Sequence, residues 1–306
     1  MKTYFKDQKL NQEFLENGFI KIKLFNNEEV RRIEKFGKKI KNQKKPHHDN
    51  VMSFNTNGAD DLDYNSFFES LINQKIKDML YGYEFLNATI ANKPKRSQSL
   101  PWHYDLSIYD EEKFGRPISI WAGFKSTNSK NGNLILIPKS NKLALPLYPY
   151  APNRNILISH LYDYKKLIQE RALAIPLKKG EVIIHDQGIF HSSSPNRSFF
   201  RDRLAYKLLL IPSNVDKFSF SYFYEDEQTI NVHEIPKEKM RNEVIKTLRE
   251  FYSDQTKFPI FSKFKVSFSP EAKISNEKIN EILETPINDI KPTKIISHYF
   301  SKILTS

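Results

Sequence analysis

The sequence predicts a mainly β protein, a sandwich or barrel with helices packed outside it, and three observations carry that expectation. Between residues 84 and 213 the chain reads as seven short apolar segments: 84–92, 100–109, 116–126, 132–140, 172–180, 180–187 and 203–212. They are rich in Ile, Leu, Val, Phe, Tyr and Trp, and Gly, Pro, Asn and Asp punctuate them, the pattern of strands joined by turns. No regular helices separate them, so the strands have one another to pack against. The composition, 39% hydrophobic and 13% aromatic in 306 residues, is globular and long enough to enclose a sizeable core.

Before this run, residues 11–17 read as a short helix that leads through Gly18 into an alternating segment, residues 19–25, suited to a half-buried strand. Asn26 or Asn27 can cap the next helix, with Glu28 and Glu29 placed at the positive end of its dipole. A third helix is expected over 65–81, where Phe68, Leu71 or Ile72, Ile76 and Met79 share one face. After residue 213 come an aromatic stretch at 218–224, a helix over 236–252 (Met240, Val244, Leu248, Phe251) and a charged, helix-prone tail. The expected organisation is a barrel with N-terminal helices over 1–213 and a helical extension over 214–306 packed on the same domain. A cover over the site and a homodimer contact are the functional readings of that extension.

Composition also excludes chemistry. There is no cysteine, so disulfides, thiolate catalysis and sulfur-ligated metals are out, and a metal site must use His, Asp and Glu. The net charge is +12. Its densest cluster, residues 31–45, holds eight basic residues against Glu34, but Val30, Ile33 and Ile40 keep helical spacing there, so the lysines read as a solvated helix face. No aromatics alternate with the charges to stack bases, which argues against nucleic acid. No stretch approaches the roughly 18 apolar residues of a membrane span, and the first residues lack the apolar core of a secretion signal. The expectation is a cytoplasmic protein acting on a small molecule.

The segment Pro101-Trp102-His103-Tyr104-Asp105 carries the chemistry. On a strand, residues i and i+2 share a face about 7 Å apart, so His103 and Asp105 could grip one ion. A third ligand must come from His160, His185 or His191; His47 and His48 lie in a polar loop, and His233 and His298 in the tail. His191 stands beside a turn at the end of a buried strand, where barrel ligands usually sit. Two histidines and one carboxylate suit ferrous iron with positions left open for a co-substrate and oxygen.

Four segments resemble the phytanoyl-CoA dioxygenase family of Fe(II)- and 2-oxoglutarate-dependent oxygenases, in the same order over roughly residues 10–212. Residues 101–105 resemble its Trp-His-x-Asp signature and residues 131–142 its Asn-Gly-x-Leu…Pro-Gly-Ser-His-Lys stretch. Residues 178–198 resemble its Gly-Asp…His-x-Ser-x-x-Asn-x-Ser stretch, and residues 14–34 its opening helix, strand and helix.

The resemblance implies a double-stranded β-helix, the jelly-roll or cupin-like core, with Fe(II) held by His103, Asp105 and His191. It implies 2-oxoglutarate and O2 as co-substrates. The family's co-substrate-anchoring arginine would fall at position 202, which is Asp202, so the register departs by one. Arg203 is the natural match, Arg201 the rival, and a planar guanidinium suits a bidentate carboxylate. Ser193 and Trp121 match positions lining the same co-substrate, and Lys93 is a further candidate.

The implied reaction hydroxylates a C–H bond of a small metabolite, for which Lys95, Arg96, Lys125, Lys139 and Lys142 would suit a phosphorylated, carboxylated or CoA-linked one. The carboxylate of Asp105 argues against halogenation, which leaves that position to chloride. The family's Pro-Gly-Ser-His becomes Pro138-Lys139-Ser140-Asn141, so a glycine is missing from that loop. The alternatives are a metal-dependent isomerase or hydrolase on the same barrel, for which a carboxylate clamp would serve no purpose, and an inactive binding barrel.

Overall fold

The computed structural model describes residues 3–42, 52–54, 63–100, 102–105, 114–143, 171–223, 229–242, 247, 250 and 260–265. Its helices begin and end where capping chemistry allows. In α1 (Gln8–Asn17) the Asp7 carboxylate accepts from the Leu10 amide, and Gly18, at φ +79°, returns its N–H to the Phe14 carbonyl. In α2 (Asn27–Asn42) the Asn26 side chain accepts from the Glu28 and Glu29 amides, while the Glu29 carboxylate accepts from the Asn26 amide, a reciprocal cap. In α3 (Tyr64–Met79) the Asp63 carboxylate accepts from the Ser66 amide. This helix buries Phe68, Leu71, Ile72 and Ile76, the face its spacing predicts.

The strands form β1 (Phe19–Lys23), β2 (Met52–Phe54), β3 (Tyr83–Lys93), β4 (Ile118–Gly123), β5 (Leu134–Leu136), β6 (Leu173–Ala174), β7 (Glu181–Asp186), β8 (His191–Ser193) and β9 (Arg203–Pro212). A six-stranded sheet runs β1-β7-β4-β9-β3-β2 and a three-stranded one β6-β5-β8, and every pair is antiparallel. Along β9 the side chains alternate. Tyr206 points outward, its ring 4.6 Å from that of Phe68 on α3 and 5.2 Å from Phe124. Arg203, Ala205 and Lys207 therefore point the other way. Residues directly opposite in an antiparallel ladder share a face, so the register carries that inner face sideways. Lys93 pairs with Arg203, Thr89 and Trp121 with Lys207, and His185 with Ser119. The small sheet lies against this face through β8, where the His191 ring is 5.2 Å from that of His185 on β7 and Ser193 Oγ accepts from the Lys93 ammonium of β3 at 3.0 Å.

Three expectations change. No strand spans 100–109 among the described residues; His103 makes an isolated bridge to His191, and residues 106–113 lie outside the description. The extension after 213 is not wholly helical. Its alternating Phe-Ser-Phe-Ser pattern builds β10 (Lys217–Phe223), which with β11 (Thr229–Pro236) and β12 (Ile260–Lys265) makes a third antiparallel sheet. The helix expected from 236 begins after Pro236, as α4 (Lys237–Asn242), with Val244, Leu248 and Phe251 outside the described residues. Arg241 pairs with Glu69 of α3, and Lys237 with Glu84 of β3 at 2.7 Å, so this part packs on α3 and β3.

Candidate metal and co-substrate site

His103 and His191 face each other as a hydrogen-bonded antiparallel pair. The His103 amide donates to the His191 carbonyl at 3.0 Å and the His191 amide to the His103 carbonyl at 2.8 Å. Direct opposition puts both imidazoles on one face, with ring centroids 4.4 Å apart. Asp105 lies two residues on, tied by its amide to the Gln187 carbonyl at 3.1 Å. One ligand atom from each of the three residues can be chosen so that all lie within 4.8 Å of one another. The expected i, i+2 geometry thus survives although the strand does not, because one bridge fixes what a longer ladder would have fixed.

Protonation suits the cluster to a cation. Nδ1 of His191 lies 2.9 Å from the Ile189 carbonyl, which can only accept, so Nδ1 carries the proton and Nε2 keeps its lone pair. Burial, then the neighbouring His103, pushes His191 well below the usual imidazole range, so the ring is neutral. Burial alone would raise the Asp105 carboxyl, but the Lys207 ammonium beside it holds it low and ionised.

His185, weighed as a third ligand, sits on β7 with its ring 5.2 Å from that of His191 and stays outside the cluster. Burial pushes it down to about 4, and its Nδ1 donates to the Asp186 carbonyl at 2.9 Å, so it backs the site as a neutral ring. His233 lies on β11, while His47, His48, His160 and His298 fall outside the described residues.

The second half of the site is cationic. Lys93 and Arg203 stand opposite each other at the ends of β3 and β9, both buried. The Lys93 ammonium donates to Ser193 Oγ at 3.0 Å; the Arg203 guanidinium lies 5.5 Å from the Trp121 ring and donates to the Ala91 carbonyl at 3.3 Å. Arg203 Nε is buried with no hydrogen-bond partner, which leaves donor capacity for a ligand carboxylate. Burial, then Arg203, pushes Lys93 down to about 7, and burial brings Arg203 to about 10. Gly132, at φ +85°, leaves room beside both, since a Cβ there would lie 2.6 Å from Lys93 Cδ and 3.3 Å from Arg203 Nε. Arg201, the rival, is exposed. The loop that separates the two arginines is clamped by buried Asn196, whose amide donates to the carbonyls of Lys93 at 3.1 Å and Arg201 at 2.9 Å.

Tyr104, on the opposite side of the chain from the ligands, stacks on Phe190 at 5.2 Å, a packing role. Lys139 stands where the resemblance has glycine and still adopts φ +65°, so the loop keeps a left-handed turn at a backbone cost of roughly 1–2 kcal/mol. Lys207 was missed. It is one lysine in the apolar run 203–212, and the alternation that aims Arg203 inward aims it inward too. That periodicity was the signal that could have found it.

A protein-family model described as phytanoyl-CoA dioxygenase matches residues 11–204. No curated protein matches the chain. Among solved structures, EctD from S. alaskensis, crystallised with 2-oxoglutarate and 5-hydroxyectoine, is 18% identical, with a TM-score of 0.51 over 68% of this chain and 80% of that one. The non-heme alpha-ketoglutarate-dependent carbocyclase SnoK from nogalamycin biosynthesis is 13% identical, with a TM-score of 0.50 over 70% of this chain and 86% of that one. At such identities the likeness concerns the fold.

Proposed function

The chain belongs to the phytanoyl-CoA dioxygenase family, and we propose that it is an Fe(II)- and 2-oxoglutarate-dependent dioxygenase hydroxylating an unactivated C–H bond of a small metabolite. The balance is R–H, O2 and 2-oxoglutarate giving R–OH, succinate and CO2. The two facing sheets are read as a double-stranded β-helix.

The observation that carries the proposal is the meeting, on one inner face, of a His-Asp-His cluster with a buried guanidinium whose Nε lacks a partner. An isomerase or hydrolase would use the first and leave the second without purpose. The residues fit the group they would hold. Neutral imidazole nitrogens and an ionised carboxylate are ferrous ligands, so His103, Asp105 and His191 would bind the metal. An iron ion held there together with 2-oxoglutarate would supply the oxidising chemistry that a C–H bond requires.

The chain's own side chains do the positioning. Arg203 and Lys93 receive the distal carboxylate of 2-oxoglutarate, Trp121 walls it, and Ser193 holds the Lys93 ammonium in place. Nδ1–H of His191, anchored on the Ile189 carbonyl, aims Nε2 at the metal.

The test does not require the substrate. Oxygenases of this type decarboxylate 2-oxoglutarate slowly without one, so succinate measured after adding Fe(II), 2-oxoglutarate and O2 should depend on all three and vanish in His103→Ala. A protein that binds metal but forms no succinate under any condition overturns the proposal.

A further inference from the structure

Lys207 reaches from the middle of β9 to the Asp105 carboxylate and forms an ion pair with it through Oδ2. Both side chains are largely enclosed, 16% and 11% exposed. The partner is one of the three groups read as metal ligands, so a divalent ion bound there would share a carboxylate with an ammonium. Like charges on one carboxylate repel strongly in a partly buried site.

The surroundings sharpen the conflict. Around this face the described residues place Lys93, Arg203 and Lys207 as cations, with Asp105 as the acid among them. A divalent ion alone adds two positive charges. A dianion bound on the metal and on Arg203 removes two, and gives Lys207 a second anionic neighbour.

We propose that Lys207 makes metal and 2-oxoglutarate bind together: the ammonium on Asp105 disfavours the metal alone, and the co-substrate's charge relieves that penalty. The inference rests on the oxygenase reading and adds a coupling to it. Because coupling is reciprocal, the metal strengthens 2-oxoglutarate by the same factor. In effect the site resists a stray divalent ion when its co-substrate is scarce.

The test is calorimetric titration of Ni(II), which needs no oxygen-free handling, into the full chain with and without 2-oxoglutarate, corrected for the complex they form in solution. Wild type, Lys207→Met and Lys207→Arg are compared, with Lys207→Gln in reserve should methionine disturb the strand. The expected result is that Lys207→Met binds Ni(II) alone about tenfold more tightly, within the usual range of coupling factors. With 2-oxoglutarate present its affinity should be close to wild type, so the coupling shrinks by that same factor, and Lys207→Arg should behave as wild type. If Lys207→Met binds Ni(II) alone no better than wild type, the inference is overturned, because the lysine then merely props the carboxylate. If 2-oxoglutarate leaves the wild-type affinity unchanged, the oxygenase reading fails first and the coupling with it.

Discussion

The two halves of the site are built on different amounts of backbone. Lys93 and Arg203 stand opposite each other on an eleven-residue and a ten-residue strand whose ladder runs from Tyr83 to Lys93. His103 and His191 share one isolated bridge, between a segment with no strand and a three-residue strand. A long register dictates where a side chain points, whereas a single bridge leaves it to a few hydrogen bonds. The cationic half is therefore a rigid socket. A metal ion bound at the other half would add its ligand bonds to that single bridge, since binding free energy and local ordering are linked.

That contrast can be broken or sharpened by substitution. The largest effect belongs to the ligands. Asp105→Ala or His191→Ala should weaken metal binding by more than the roughly 100-fold that loss of an outer partner can cost, while 2-oxoglutarate-independent thermal stability changes little. A large loss of stability would mean that the bridge carries the fold as well as the site. Next comes Arg203→Met. Truncating one partner of a buried charge pair costs at least about 2 kcal/mol, or roughly 30-fold; 2-oxoglutarate affinity should fall by that much while the affinity for Ni(II) alone holds. An equal fall in both would show that the halves are one unit.

Lys93→Met should act more weakly and with a pH signature. Lys93 titrates at about 7 in the free protein. The charged form, present below that pH, is the one that holds a carboxylate, so wild-type affinity for 2-oxoglutarate should decline as pH rises above 7. The variant should lose about tenfold near pH 6, of the order of one buried charged contact, show a flattened profile, and match wild type near pH 9. A decline of equal slope in both proteins would assign the titration to another group. Gly132→Ala forces a Cβ to 2.6 Å from Lys93 Cδ at a left-handed backbone position. It should cost about 1–2 kcal/mol in chemical denaturation and weaken 2-oxoglutarate too. The smallest effect should be that of Arg201→Met, whose exposed side chain points away from the socket, with less than about a twofold change.

Much of this contrast was legible in the sequence. Strand periodicity and turn residues located β3, β4, β7 and β9, and Asn26 was one of the two caps expected for α2; the cap at Asp7 was not read, so α1 begins three residues before its expected start. His103 and Asp105 stood out because few histidines were available and one was followed at i+2 by a carboxylate; among His160, His185 and His191, the third ligand was the one the family resemblance implied. Among the described residues of 100–109 no strand appears, since apolar periodicity measures burial and the single bridge at His103 satisfies it equally. Residues 218–223 were read for their aromatics and not for their alternation, so the third sheet went unseen. Whether Arg201 or Arg203 was the buried one depended on a one-residue register in the loop, which local pattern does not encode; the Asn196 amide holds the carbonyls of Lys93 and Arg201 beside that register. Lys207 was hidden by its surroundings, since one lysine in an apolar strand passes for an edge position until Asp105 is found beside it.

If one inner face holds a metal and a 2-oxoglutarate together, anaerobic titration with Fe(II) and 2-oxoglutarate should develop the charge-transfer band of the chelate in the visible spectrum. Wild type should show a band that is absent in His103→Ala, and that in Arg203→Ala is weak at limiting 2-oxoglutarate and restored at saturation. Metal binding with no band at any 2-oxoglutarate concentration would contradict that arrangement.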